Sequence, residues 1–374
     1  MLLQSNTRNK TDLAFKLYSK AKSEPLFRFY SLYDKVYSFK TLWQAWTLVR
    51  RDKDTSPGVD GITVEAVEKS GEKVYVEQIR LELLNGSYLP SPLKPSYLAK
   101  AGGGKRLIGI PTLKDRVIQR AVSQILAPIF EADFLPCSYG YRPNVGQHDA
   151  IRSVARYIRQ GYLTAYSADI QNFFDNISHH IVMTLLRRRI ADNQVLKLIQ
   201  CWMTAPIGMK GERRNGIQQG GPISPLLANI VLNEIDRAWY KPEGPFQQFK
   251  APLIRYADDI LVMMHTDTPK VAETIKRLLE PLQLELSHEK SKLIKLNNGQ
   301  MLHFLGFGIS VSDGGTGGAK VSLRPQQKKT EALKAKVREI IKRNSGNDRK
   351  KLLGELLPLT RGFRSYFYFY PTGQ

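Results

Sequence analysis

Two adjacent carboxylates, Asp258 and Asp259, interrupt a run of strand-forming residues from Ile254 to Met264. Burying one unpaired carboxylate costs several kcal/mol or drives it to take up a proton, and burying two together is worse. A strand–turn–strand hairpin with the pair at its tip avoids that cost and offers both to a divalent cation. An exposed Asp-Asp turn with no chemistry is the competing reading of these residues alone. A third carboxylate, Asp169, ends a separate strand-like segment that begins at Leu163, 89 residues upstream (258 − 169). Three carboxylates within about 4 Å repel by about 4 kcal/mol per pair at an effective dielectric of 20, so such a cluster makes sense only around cations. Oxygen donors without Cys or His select Mg²⁺ or Mn²⁺ over zinc. Two such ions about 3.5–4 Å apart would suit nucleotidyl transfer, nuclease or cyclase chemistry equally.

Composition narrows the partner. The chain has 374 residues and a formal charge of +22, which calls for a polyanion, nucleic acid before an acidic membrane surface. The charge is uneven. From Ala319 to Gln374 there are 14 Lys/Arg against 4 Asp/Glu, whereas residues 51–110 are nearly balanced at 9 against 8. No apolar run is long enough to span a membrane, and Met1–Gln4 does not open a signal peptide, so a cytoplasmic protein is expected. Two cysteines, Cys137 and Cys201, exclude a disulfide framework or a cysteine-rich zinc site, and the six histidines lack metal-ligand spacing.

The elements that must position the carboxylates follow from periodicity. Ser96–Ala101 and Lys105–Ile110 predict a hairpin around Gly102-Gly103-Gly104, with Lys100, Lys105 and Arg106 near its tip. Thr112 is placed to cap a helix with Val117, Ile118, Ala121, Val122, Ile125 and Ile129 on its buried face. A helix from Gln147 carries Arg152, Arg156 and Arg159 on one side, suited to a phosphate backbone or to a salt-bridged solvent face. After the strand Leu163–Asp169 come helices near 178, at 192–204 and at 222–239, the Tyr256 hairpin, a helix at 268–285, and strands near 290–296 and 303–311. Their order matches a split βαβ core, which sets the end of the first strand beside the central hairpin. Pro325 is expected in the first turn of a helix carrying Leu333, Val337, Ile340 and Ile341. After a break at Ser345-Gly346-Asn347, a second helix carries Leu352, Leu353, Leu356 and Leu357, and the chain closes on aromatic residues from Phe363 to Tyr370.

Eight blocks in order make the reading specific. They are Pro57-Gly58-Val59-Asp60-Gly61; Arg106 to Pro111 with Asp115-Arg116-Val117-Ile118-Gln119; Ser138 to Pro143 with His148-Asp149-Ala150-Ile151; Asp169 to Ile177; Gln219 to Asn229; Tyr256-Ala257-Asp258-Asp259; Leu286 to Lys290; and Phe304-Leu305-Gly306-Phe307. From Pro57 to Tyr370 the chain resembles bacterial group II intron-type reverse transcriptases.

The resemblance implies an α+β right-hand polymerase fold, with an N-terminal extension and fingers over 1–160, a palm over 161–318 and a helical basic thumb over 319–374. It implies that Asp169 and Asp258 ligate two Mg²⁺ (or Mn²⁺) ions with help from the Ile170 carbonyl, and that Asp259 supports them. Phe174 would stack under the sugar and exclude a 2′-hydroxyl, with Phe173 as packing. Gln219 and Gly220 would meet the incoming nucleotide. Arg106 with Lys100 or Lys105 would hold the triphosphate, Lys290 would lie near the leaving pyrophosphate, and Phe304, Leu305, Gly306 and Phe307 would form the primer grip. Lys328, Lys329 and Lys336 on the thumb, and Arg152, Arg156 and Arg159, would hold nucleic-acid backbone. The expected partners are an RNA template, a DNA or RNA primer and dNTPs. The resemblance covers no DNA-binding or endonuclease segment, so a stand-alone enzyme copying a dedicated RNA in a defence- or CRISPR-associated or intron-derived setting is expected. The second motif differs from the diversity-generating branch at Gln219 and Ser224-Pro225, and retron signatures are not evident. An RNA-binding maturase or scaffold, with polymerisation secondary, is the competing reading.

Overall fold

The computed structural model describes residues 12–51, 56–99, 105–208, 216–313, 319–344 and 349–368. Helices and antiparallel sheets are mixed, and the chain divides into two compact units. The first unit comprises Met1–Asn144, Ile170–Ala238 and Ile275–Leu286; the second comprises Val145–Asp169, Trp239–Thr274 and Ser287–Gln374.

The first unit is built on the helix Leu113–Glu131. Its Thr112 cap accepts the Asp115 backbone N–H through Oγ1 at 3.2 Å, satisfying a donor that the helix start leaves orphaned. Val117, Ile118, Ala121, Val122 and Ile129 on its inner face are fully enclosed. Each buried aliphatic side chain of this kind stabilises the unit by about 1.5–3 kcal/mol. Leu13–Ser23 and Phe39–Val49 pack against this helix. The expected hairpin is present as β1 (Lys94–Ala99) and β2 (Lys105–Ile110), with Ala99 opposite Lys105. Its glycine turn and Lys100 lie outside the described residues.

In the second unit β3 (Thr164–Ala168), β4 (Leu253–Tyr256), β5 (Asp259–Met264) and β6 (Lys292–Lys295) form one antiparallel sheet in the order β4-β5-β3-β6. β5 is interior, and Ile260 to Met264 are buried without alternation, as expected of a strand covered on both faces. The helix Gln147–Arg159 packs on β4.

A second sheet contains β7 (Leu302–Phe304), β8 (Phe307–Asp313) and β9 (Ala319–Pro325). Three expectations need correction here. The strand expected over 303–311 is two strands, because Leu305 and Gly306 adopt φ of +48° and +80° and turn the chain tightly between Phe304 and Phe307. The helix expected over 268–285 is α-helical only from Lys270 to Leu279; a 3₁₀ turn, Glu280–Leu282, follows where Pro281 supplies no N–H. Pro325 ends β9 rather than starting a helix, and the helix runs Gln327–Arg343. A last helix, Arg349–Phe367, has no buried residue along its length. The break expected at Ser345-Gly346-Asn347, the glycine turn of 314–318 and the end of the aromatic tail at Tyr370 lie outside the described residues.

Candidate active site

Sheet register assembles the carboxylates. β3 pairs with β5 so that Ala168 faces Ile260, and one residue further sets Asp169 opposite Asp259. β4 pairs with β5 so that Tyr256 faces Asp259, leaving Ala257 and Asp258 as a two-residue turn. Ala257 holds φ +55°, a left-handed conformation that costs a non-glycine residue energy and must be held in place. Arg255 does the holding. It is fully buried in β4, and its guanidinium donates to the Ala257 carbonyl at 3.1 Å.

β6 closes the other side. Ser167 faces Lys292, so Asp169 falls opposite Lys290, whose Nζ lies 3.1 Å from Asp169 Oδ1. The Asp169 N–H donates to Ser291 Oγ at 3.2 Å, and the Asp169 carbonyl accepts the Ser287 N–H at 2.8 Å. The segment 287–291 therefore grips Asp169 by backbone and side chain at once. The Ile170 carbonyl takes no backbone hydrogen bond among the described residues.

Electrostatics express the crowding. The Asp259 carboxyl is pushed up to about 6, first by loss of water and then by the negative charges of Asp258 and Asp169, with Lys290 pulling the other way. Asp259 nevertheless keeps part of its surface exposed to solvent. Among the described residues, no three His, Cys, Asp or Glu side chains are grouped closely enough to hold an ion as they stand. Hard oxygen donors in a cluster short of positive charge nevertheless suit a divalent cation. A pH dependence follows. Because Asp259 is raised in the folded chain, its contribution to stability is full below its ordinary pKa and is lost as pH rises through about 6. Without metal, the melting temperature should fall between pH 5 and 7. Mg²⁺ should raise it more at pH 7 than at pH 5, and Asp259→Asn should flatten both trends. Unchanged slopes in that variant would remove Asp259 from the cluster.

Elsewhere in the second unit, the β7–β8 turn is tied to the last helix. Tyr366 Oη donates to the Leu305 carbonyl at 3.0 Å, His148 Nε2 lies 2.8 Å from the Tyr366 carbonyl, and the Phe307 and Tyr366 rings stack at 5.8 Å. Phe304 and Phe307 are buried, so only Leu305 and Gly306 of the expected primer grip face outward. Those two residues share a cleft of ≈ 630 Å³ with Lys329, Leu333, Lys336 and Phe363. Lys328 is exposed on a different face of the same helix and does not line it. Arg152, Arg156 and Arg159 are exposed as expected; Arg152 pairs with Asp149 at 2.9 Å, and Arg156 lies over the Tyr157 ring at 5.0 Å.

Apart from Lys290, the nucleotide candidates among the described residues belong to the first unit. Phe173 is buried and Phe174 half-buried, their rings edge to face at 5.2 Å. The Phe174 carbonyl accepts the Ile217 N–H at 2.8 Å. Gly216 lies so close that a Cβ there would stand 2.2 Å from the same carbonyl, which only glycine permits. This contact brings the segment carrying Gln219 alongside Phe174. Gly220 is exposed with φ +105°, and a Cβ on it would reach the Gly109 carbonyl of β2 at 3.9 Å. Arg106 sits in β2 opposite Leu98, and Lys105 is exposed beside the hairpin turn.

Sequence reasoning missed Arg255, Ser291 and Tyr366. A cation inside an apolar strand, one residue before Tyr256, was the available signal for Arg255. Ser291 and Tyr366 act through contacts 122 and 61 residues away, which no local pattern encodes.

The family model for "Reverse transcriptase (RNA-dependent DNA polymerase)" matches residues 98–309. Protein YkfC of Escherichia coli (strain K12) is 30% identical over an alignment of 330 residues, covering 77% of this chain and 86% of that protein. Group II intron-encoded protein LtrA of Lactococcus lactis subsp. cremoris is 32% identical over 209 residues, covering 54% of this chain but 34% of LtrA. The retrovirus-related Pol polyprotein from type-1 retrotransposable element R2 of Popillia japonica is 26% identical over 271 residues, covering 65% of this chain and 38% of that protein.

Proposed function

The chain belongs to the group II intron-type reverse transcriptases and is an RNA-directed DNA polymerase, and we propose that Asp169, Asp258 and Asp259 carry this activity by holding two Mg²⁺ or Mn²⁺ ions. The observation that carries the assignment is the register that sets Asp169, Asp259 and Lys290 side by side at the strand ends. When bound, the metal pair lowers the pKa of the primer 3′-hydroxyl and offsets charge on the leaving pyrophosphate. Asp169 and Asp258 would ligate the ions with help from the Ile170 carbonyl, and Asp259 would support them with its negative charge. Lys290 holds Asp169 in place and presents a cation near the departing phosphates.

An RNA template, a primer and nucleotides are the general substrates of the family. We assign Phe174, Gln219, Gly220 and Arg106, with Lys100 or Lys105, to the incoming deoxynucleotide, and Leu305-Gly306 to the primer end. In the right-hand arrangement, residues 1–160 serve as extension and fingers, 161–318 as palm and 319–374 as thumb. No helix among the described residues is long and apolar enough to cross a membrane. The free thiols of Cys137 and Cys201 support a reducing, cytoplasmic setting.

The direct test is extension of a DNA primer on an RNA template with dNTPs and Mg²⁺, stopped by chelation. No extension under these conditions would remove the proposal. Two finer outcomes are expected. Phe174→Ala should relax discrimination against rNTPs by about 10–100-fold, the scale of one lost pocket contact. An unchanged dNTP/rNTP ratio would make Phe174 a packing residue. Replacing Lys329 and Lys336 by Gln should reduce the salt slope of template–primer binding by about 2. An unchanged slope would place the phosphate grip elsewhere.

A further inference from the structure

The first unit contains a second cleft of ≈ 610 Å³, and none of its lining residues belongs to the carboxylate cluster or the nucleotide candidates. That volume lies within the range of about 300–1,000 Å³ usual for small-ligand sites. Its floor is apolar, formed by Phe130, Phe134, Leu185 and Ile230. Four guanidiniums line it, and they divide into two kinds. Arg188 is paired to Glu234 at 2.8 Å. Arg189 is buried, paired to Asp133 at 3.1 Å and bound to the Ala21 carbonyl at 2.7 Å. Those two hold the walls. Arg28 and Arg237 are exposed and have no side-chain hydrogen bond or ion pair among the described residues.

Asn233 adds a buried side-chain oxygen, Oδ1, that has no hydrogen-bond partner among the described residues. The residue is 5% exposed, and its amide nitrogen reaches the Asp133 carbonyl only at 3.4 Å. Buried polar atoms without partners are rare in folded proteins and call for an explanation. Leu26, almost fully exposed, stands at the cleft as an apolar surface with no packing role of its own.

The occupant must therefore bring a flat apolar body for the floor, a hydrogen-bond donor for Asn233 and negative charge for Arg28 and Arg237. An unpaired nucleotide carries all three, since its base is planar and bears N–H donors while its phosphate pairs with guanidinium. An acidic peptide also carries charge and N–H donors, but it lacks the single unit that joins a planar apolar base to a phosphate. The formal charge of +22 also favours the nucleic acid. We infer that this cleft seats one unpaired nucleotide of the bound RNA, its base against the Phe130–Ile230 floor and its phosphate between Arg28 and Arg237. The inference rests on the chain handling RNA as a polymerase does, and it adds a point of attachment separate from polymerisation.

The test uses the full chain and two probes, a fluorescent 12-nucleotide single-stranded RNA and a 12-base-pair RNA–DNA hybrid. Arg28→Ala/Arg237→Ala should bind the single strand about tenfold more weakly, the scale of lost charge-assisted contacts. Hybrid affinity and extension of oligo(dT) on saturating poly(rA) should stay within about twofold of the parent. The same RNA carrying 4-thiouridine, irradiated with the unaltered protein, should crosslink to peptides containing Phe130, Phe134 or Asn233, a readout independent of any variant's folding. Unchanged single-strand affinity, or an equal loss on the hybrid, would overturn the seat. So would crosslinks confined to other peptides, or displacement of the fluorescent RNA by poly-glutamate as readily as by unlabelled RNA, which would mark an acidic protein partner. Failure of the unaltered enzyme to extend oligo(dT) would instead count against the polymerase assignment, leaving the crosslink map to judge the cleft.

Discussion

Asp169→Asn and Asp258→Asn should each reduce RNA-templated primer extension on the order of 10³-fold or more, at unchanged RNA affinity. That magnitude follows from removing a ligand of the metal ions that would offset the charge developing in the transition state. Asparagine keeps the size of the side chain, so the sheet register that sets Asp169 opposite Asp259 should survive, and circular dichroism should match the parent. Asp259→Asn should lose less, because the Asp259 carboxyl is pushed up to about 6 and bears its full charge only above that pH. Near-parental extension by either Asp169→Asn or Asp258→Asn would end the metal assignment. Lys290→Met is the informative companion. It removes the cation at 3.1 Å from Asp169, and its extension rate should fall while metal affinity rises, since Lys290 no longer competes with the ion for that carboxylate.

The second large effect is expected at Arg255. Replacing it with Met keeps the stem and removes the guanidinium, leaving the Ala257 carbonyl without its 3.1 Å donor inside a buried turn. Leaving a buried carbonyl unsatisfied costs about 1–3 kcal/mol. Urea unfolding should register that loss. Extension should fall about 10–100-fold even where the protein remains folded, because the left-handed Ala257 relaxes and Asp258 leaves its place. Parental stability together with parental activity would show that the turn holds itself.

Much of this site was legible in the sequence for a specific reason. Asp258 and Asp259 are adjacent, and a hairpin is a local object whose tip can be read from the apolar strands on either side. Asp169 announced itself as the carboxylate ending a strand. The N-cap Thr112 and the buried stripe from Val117 to Ile129 were readable in the same way, through spacing along one helix. The failures were also local in cause. Leu305 carries no turn signal of its own, and its left-handed conformation depends on Gly306 and on Tyr366 far along the chain. Pro325 fits a helix start and a strand end equally by its fixed φ, and only pairing with Phe307 decides for the strand. The helix predicted to 285 stopped early because Pro281 outweighed the apolar period that continues through Leu282 and Leu284.

The strand order β4-β5-β3-β6 also fixes the sequence in which the enzyme can come into being. Its interior pair, β3 and β5, is joined across 90 intervening residues, and the last strand of the sheet follows later still. A ribosome adding about 5–20 residues per second has therefore presented the whole basic helix Gln147–Arg159 several seconds before Lys290 emerges to meet Asp169. The nascent protein acquires cationic surface first and its carboxylate grip last.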